Sequence, residues 1–503
     1  MGLITISTDI PWLSLIWLSL LVPSVLIAFI PDTQQQLMRI VGTGFAFISL
    51  VLSLLIFFAY DPKVAGFQFV ERLDWIPQIG ITYLLGVDGI SLAMLVLNGV
   101  VIFTGSLMSW NIESRAKEYW IWLLLLTTGV YGVFVSLDLF LFFVFYELAV
   151  LPMYLLIGIW GSTRKEYGAM KLTLFLMAGS AMAIIGMLGI YFQTGLRTFD
   201  MIALARNVTM SAEYQRIFFP LLFLGFAVLS GMFPFHTWSP TGHVAAPTAV
   251  SMLHAGVLMK LGAYGCLRAA MWLMPEGARD WLPIMAVLTI LNVVYGATIA
   301  MAQRDAKFII GYSSVSHMGL VMMALASGTQ IGLLGAVLQM FAHGIMTALF
   351  FSVVGRMIYE RTHTRQLPEL GGLGRVMPFA AVMFILGGLS SMGMPGFAGF
   401  WAEFAIFIGV WERYPLIAVI AALSIPITGA YILRAVYSVF FDEVKNPEFL
   451  NLPKLTWQEY SGALILASIL ILVGIYPGFL TDMINMGVAP IAQQLNDVIV
   501  AGR

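Results

Sequence analysis

Cysteine is nearly missing from this chain: Cys266 is the single example in 503 residues. A lone thiol excludes an intrachain disulfide, a four-cysteine zinc site and an iron–sulfur cluster held by cysteines alone. Charge is scarce too. Asp, Glu, Lys and Arg make up 10% of the residues. Soluble domains carry about 25%, so most of this surface must meet a solvent other than water. The formal net charge of −1 gives no electrostatic footing for nucleic acid. The six histidines are scattered, without His-x-x-x-His spacing or neighbouring carboxylates, so no metal site is expected. Nothing places the glycine-rich piece Glu369-Leu-Gly-Gly-Leu-Gly374 between a strand and a helix, which removes a nucleotide-binding reading. No loop is long enough to hold a soluble catalytic domain.

What is present is apolar, at 60% of the residues. About fourteen segments approach or exceed the length that crosses about 30 Å of hydrocarbon. They are 11–30, 38–59, 84–109, 119–136, 139–160, 168–192, 217–238, 247–272, 281–301, 308–326, 331–357, 376–411, 415–440 and 459–477. The fold class expected is therefore an all-α polytopic membrane protein. The first segment follows an N-terminus without Lys or Arg and reads as a spanning helix, not a cleaved signal. Two segments carry helix breakers, Gly231-Met-Phe-Pro234 and Met392-Gly-Met-Pro-Gly-Phe-Ala-Gly399. Interrupted helices survive at membrane depth only where protein or a wet cavity satisfies the freed backbone, and paired breaks point to a binding site. The breaks lie five helices apart, which suggests two inverted five-helix repeats, 118–275 and 276–445. The first three helices (1–117) precede them, and a last helix with its tail (446–503) follows. Of the 25 Lys and Arg, fifteen fall on one face, nine on the other and Lys260 in the interior. The richer face is expected to be cytoplasmic, with both termini on the periplasmic side.

Ionisable side chains at membrane depth cost about 2.5–3.5 kcal/mol each on insertion scales and usually mark ion or proton paths. Glu147 sits among Phe, Leu and Val in the segment from 139 to 160, and Lys260 is equally deep in the segment from 247 to 272. A static Glu147–Lys260 ion pair is the plain alternative to transport. His317 and His343 lie within two further segments, and imidazole relays protons well. Glu403 follows the second break, placed to end a path toward one surface. His236 and His243 lie just beyond the first break, as its mouth or as a polar loop. Lys307, Arg356, Glu360 and Arg361 lie near segment ends, where long side chains snorkel to the interface.

Several of these residues stand in motifs that resemble a known family. Pro234-Phe-His-Thr-Trp-Ser-Pro240, His243-Val-Ala-Ala-Pro-Thr-Ala-Val-Ser251 and Ala255-Gly-Val-Leu-Met-Lys-Leu-Gly-Ala-Tyr-Gly265 are similar to blocks of the antiporter-like membrane subunits of respiratory complex I. So are Asp305-Ala-Lys-Phe-Ile-Ile-Gly-Tyr-Ser-Ser-Val-Ser-His-Met-Gly319 and Ala342-His-Gly-Ile-Met-Thr-Ala-Leu-Phe350. Gly86-Val-Asp-Gly-Ile-Ser91, Tyr146-Glu-Leu and the length favour the branch of the bacterial M subunit, counterpart of mitochondrial subunit four. The resemblance implies a proton-translocating, non-redox subunit of NADH–quinone oxidoreductase, using Glu147, Lys260, His317, His343 and Glu403. It also implies neighbouring membrane-arm subunits and a bilayer as partners, with no cofactor in this chain. FMN, iron–sulfur clusters and quinone are expected in partner subunits.

The chain departs from that family where a lysine on the seventh helix is usual: the position is Leu229. Ala245 replaces a frequent Glu, and His254 stands where an apolar residue is typical. His254 is therefore a candidate substitute for the missing lysine. It is nevertheless six residues, or about 9 Å along a helix, from Lys260 and on another face. Two other readings remain: a subunit of a multisubunit cation/proton antiporter or membrane-bound hydrogenase, and a scaffold whose buried charges only fix packing.

Overall fold

The structure is a computed structural model, which describes residues 9–207 and 210–501. Among these residues the chain forms a helical bundle. In order the helices are α1 (Trp12–Ala28), α2 (Gln35–Ala59), α3 (Gly89–Met108), α4 (Ala116–Val135), α5 (Leu139–Trp160) and α6 (Lys165–Gln193). Next come α7 (Ala212–Ser230), the short α8 (Trp238–Ala245), α9 (Thr248–Met271), α10 (Pro275–Ala302), α11 (Ala306–Ser327) and α12 (Gln330–Thr362). The last are α13 (Pro378–Ser391), α14 (Ala398–Arg413), α15 (Pro415–Phe441), α16 (Trp457–Ile475) and α17 (Gly478–Ala501). Twelve of the described helices are long and apolar enough to cross a membrane; α1 and α13 are shorter and also apolar.

The sequence segmentation is corrected at two places, 84–109 and the residues beyond 477. The stretch 84–109 is not one helix: Leu84–Val87 belong to a strand. Strands β1 (Gln68–Ile76) and β2 (Ile81–Val87) pair antiparallel around a left-handed Gly80. An apolar run of seven residues cannot be told from helix by periodicity alone. The helix starts only at Asp88, whose carboxylate accepts hydrogen bonds from Ile90 N and Ser91 N, 3.1 Å each. The segment 376–411 divides into α13 and α14, as its Gly/Pro cluster foretells. Residues beyond 477, expected as a tail, form the long helix α17, which packs on α3, α10 and α12.

The two breaks are held by specific side chains. At the first, Gly231 ends α7 in the left-handed region at φ +74°. Asn292 of α10 then takes over the backbone that the break exposes. Its Nδ2 donates to Gly231 O at 2.8 Å, and its Oδ1 accepts from Phe233 N. The indole of Trp238 donates to Val228 O at 3.0 Å, tying α8 back to α7. At the second break Gly393 is left-handed at φ +64°, directly over the Glu403 carboxylate. A protein-made solution to the unpaired backbone is what membrane depth requires.

Burial separates an inner set of helices from an outer one. Helices α3, α9, α11 and α12 are enclosed almost throughout, while α2, α6, α10 and α15 keep a broad apolar face outward. The inner set carries most of the polar chemistry.

Candidate functional site

The site begins where α9 crosses α12. The crossing point is Gly256 against Gly344: a Cβ on Gly256 would stand 3.2 Å from Gly344 O. Small residues at a crossing let two helix backbones approach, as in membrane helix pairs generally. His343 precedes Gly344, and Lys260 lies one turn beyond Gly256, so the crossing brings them together. Lys260 Nζ stands 2.7 Å from His343 Nδ1 and donates to Ala255 O. Ala255 belongs to a π-helical turn, His254–Leu258, which widens α9 just before the lysine. Such turns occur mainly as single wide turns at functional positions.

A row of side chains continues from there. The His343 and His317 rings lie 5.4 Å apart between centroids. His317 Nδ1 is 3.5 Å from Glu403 Oε1 and 3.1 Å from Gln339 Nε2, and His317 Nε2 is 3.1 Å from Ser391 Oγ. Lys260, His343, His317 and Glu403 are all buried, and they come from four helices, α9, α12, α11 and α14. Ser391 is the last residue before the second break. A cavity of about 10 Å³, lined by His317, Ser391, Glu403, Ser424 and Thr428 among others, sits at this end. That volume holds roughly one water. The arrangement places four titratable groups in succession, flanked by hydroxyls and an amide.

The remaining sequence candidates stand apart from the row. Glu147 forms no ion pair with Lys260, so the static pair considered from sequence is not present among the described residues. Its Oε1 is buried beside the Ser180 hydroxyl on α6, the helix packed against α5, and neither has another hydrogen-bond partner. Leu229 is buried and contributes no charge to either group. His254 makes no hydrogen bond or ion pair with Glu147; it stacks on Trp238 and lies tilted against His243, both of α8. His236 is buried against Phe233 and Tyr295, with both ring nitrogens unpartnered.

Lys307, Arg356 and Arg361 do not snorkel. Lys307 is buried, with Nζ donating to Ala246 O at 3.0 Å. Arg356 pairs with Glu360 and with Glu459, and Arg361 grips both oxygens of the fully buried Glu459, at 3.0 and 2.8 Å. A second buried cluster joins Asp88 to Arg268, whose guanidinium lies over the rings of Phe67, Tyr264 and Trp272. The arginines are packed because each finds an opposite charge inside the bundle, while Lys307 is held by a backbone carbonyl.

Two members of the row escaped the sequence reading. Gln339 lies one helical turn before His343 on the same face, a spacing that could have flagged it. Ser391 could have been found only from its place beside the break. No group of three or more His, Cys, Asp or Glu side chains converges as a metal site among the described residues.

Comparison with known proteins adds a family. Residues 136–428 match the family model described as NADH:quinone oxidoreductase/Mrp antiporter, TM. The chain belongs to this family. It is 36% identical over 456 residues to the NADH-quinone oxidoreductase subunit M of Rhodobacter capsulatus, covering 89% of this chain and 88% of that one. It is 34% identical over 511 residues to an NAD(P)H-quinone oxidoreductase chain 4 of a Nostoc strain, covering 98% and 94%. A chain of respiratory complex I from Thermus thermophilus superposes with a TM-score of 0.88 at 28% identity, over 97% of this chain and 99% of that chain. An Mrp complex from Dietzia matches in fold, with a TM-score of 0.83 at 20% identity. The chain is thus an antiporter-like membrane subunit of the complex I type.

Proposed function

We propose that this chain is a proton-translocating membrane-arm subunit of an NADH–quinone oxidoreductase. Protons move along Lys260, His343, His317 and Glu403, driven by quinone reduction elsewhere in the complex. The observation that carries this reading is the unbroken burial of those four groups in one row, with 2.7 Å between lysine and histidine and 3.5 Å between histidine and carboxylate. Proton transfer needs donor and acceptor within hydrogen-bond reach or joined by one water, and ionisable groups at this depth are costly unless they serve a path.

In this scheme a proton on the Lys260 ammonium passes to His343 Nδ1. It leaves from His343 Nε2 toward His317, which hands it to Glu403. Glu403 ends the row beneath the left-handed Gly393, on the side of the second break. Glu147 is a separate proton-holding site facing α6, outside the direct row. The two five-helix units, 118–275 and 276–445, are the repeats that carry the two breaks. Both termini lie on the periplasmic side of a bacterial cytoplasmic membrane. The redox chemistry belongs to partner subunits holding FMN, iron–sulfur clusters and quinone, and neighbouring antiporter-like subunits complete the membrane arm.

The test is to purify the complex with Lys260→Ala or Glu403→Gln in this chain and reconstitute it in sealed vesicles. NADH-driven quinone reduction and internal acidification are then read together. The expected result is intact assembly with acidification per NADH lowered at least twofold. Unchanged acidification in both variants would overturn the reading.

A further inference from the structure

At the end of the bundle that carries most of the Lys and Arg, a cavity of about 770 Å³ opens between α6, α8, α10, α11 and the turn after α12. Three arginines and one aspartate line it: Arg164, Arg304, Arg365 and Asp305. The aspartate is already engaged. Its Oδ1 accepts from Lys307 N at 2.8 Å and Phe308 N at 3.3 Å, capping α11. Its Oδ2 accepts from Arg365 Nε at 2.6 Å and Gln366 Nε2 at 3.2 Å. Arg365 is buried in that pair, and its other nitrogens donate to Thr163 Oγ1, Ser162 Oγ and Val244 O. Arg164 and Arg304 are placed differently. Both are exposed, and neither guanidinium has a hydrogen bond or an ion pair among the described residues. The cavity wall therefore keeps two positive charges that nothing in the chain offsets.

Below the cavity the surface turns apolar. Tyr167 lines the cavity from the first turn of α6, and Met170, Leu174 and Met177 follow it, all exposed on one face of that helix. On α10, Met301 stands next to the cavity-lining Ala302, and Tyr295, Leu291 and Val287 continue the exposed face away from it. A few arginines at one end of a membrane bundle are ordinary topological charge. These two stand instead at the head of two apolar stripes that run into the hydrocarbon. That is the outline of a lipid, with a charged head and two acyl chains.

We propose that this cavity binds the phosphate diester of an anionic phospholipid, with Arg164 and Arg304 as its charge partners and the acyl chains along α6 and α10. Guanidinium suits the role, because its forked N–H groups meet two phosphate oxygens at once. Basic pockets between membrane helices on the cytoplasmic side are where anionic headgroups are held. A lipid seated here also bears on α8. Thr241 and Val244 of that helix form part of the wall, and Ser162 N ties the loop before α6 to Ala245 O at 2.8 Å. The inference does not rest on the proton row, and the failure of either leaves the other standing.

The experiment uses the whole complex in nanodiscs of phosphatidylcholine. A trace of phosphatidylglycerol with a photoactivatable diazirine in one acyl chain is added, and phosphatidylcholine with the same chain serves as the control probe. Cross-linked peptides of this chain are mapped by mass spectrometry. Residues 167–177 and 287–301 are expected to take at least threefold more of the phosphatidylglycerol probe. An Arg164→Gln, Arg304→Gln double variant, assembled normally, should lose that preference, and an Arg164→Lys, Arg304→Lys double variant should keep it. Equal labelling by the two probes in the unaltered complex overturns the inference, whether the face is bare or another subunit covers it, and this arm needs no variant. A preference that the glutamine double variant retains overturns it as well, as does one that the lysine double variant loses completely. If inorganic phosphate abolishes the preference where sodium chloride of equal ionic strength does not, the cavity takes free phosphate and the lipid assignment falls.

Discussion

Gln339 shows how much one amide can decide. As placed, its Nε2 donates to His317 Nδ1 and its Oε1 is buried without a partner. Turned over, the same side chain would accept from a protonated Nδ1 and leave the amide nitrogen free. Either orientation matches one protonation state of His317, so the amide senses which is present. Gln339→Leu should remove that match and slow proton transfer through His317, while Gln339→Asn should do so less. The check is the acidification rate at fixed NADH turnover. Glu147, which lies outside the row, should matter less than Lys260: Glu147→Gln is expected to lower acidification by a smaller factor than Lys260→Ala in the same assay. At this scale the sequence was informative about identity and poor about company. A charge in an apolar run announces itself, which is how Glu147, Lys260, His317, His343 and Glu403 were legible. Which of them meet depends on crossings such as Gly256 with Gly344, and neither glycine signals its partner in one dimension. The neighbours of His254 were unreadable for that reason: the side chain packs on Trp238 and His243 of α8, a neighbour that exists only because α7 breaks.

Among the elements, the breaks themselves are the best-read features, because Gly and Pro disrupt helices for local reasons that sequence carries directly. What holds a break in place is not local. Asn292 belongs to α10, some sixty residues away, yet it satisfies both Gly231 O and Phe233 N. Asn292→Leu leaves a carbonyl and an amide unpaired and should cost about 1–3 kcal/mol for each. A lower melting temperature of the purified complex and a weaker yield are the expected signs. Asp88 and Arg268 form a buried pair that ties the hairpin end of α3 to α9. Removing one member strands the other charge at a cost of about 3–5 kcal/mol, whereas replacing both with apolar residues should cost less. Asp88→Ala, Arg268→Ala and an apolar double variant, compared by thermal stability, measure that difference. The hairpin β1–β2 was the element least visible beforehand, since its apolar run shades into the helix that follows.

For the molecule as a whole, composition alone was enough for the class: 10% charge and long apolar runs leave few alternatives to a membrane bundle. The division into an enclosed set of helices and an outward set was not readable, because both kinds are equally apolar. Exposed Leu174 and Met177 on α6 and Leu416 and Val419 on α15 look, in sequence, like the buried residues of α12. Helix α17 bears on a different matter, the order in which the bundle is completed. Met483 and Gly487 lie against Gly89 and Ile90 at the start of α3, and Asn485 accepts from Gln330 at the start of α12 at 2.8 Å. Two helices made earlier in synthesis therefore wait for a segment made after them. Until α17 docks, the ends of α3 and α12 are open on that side, and a ribosome stalled within residues 478–501 would leave an inserted chain that is not yet a closed one.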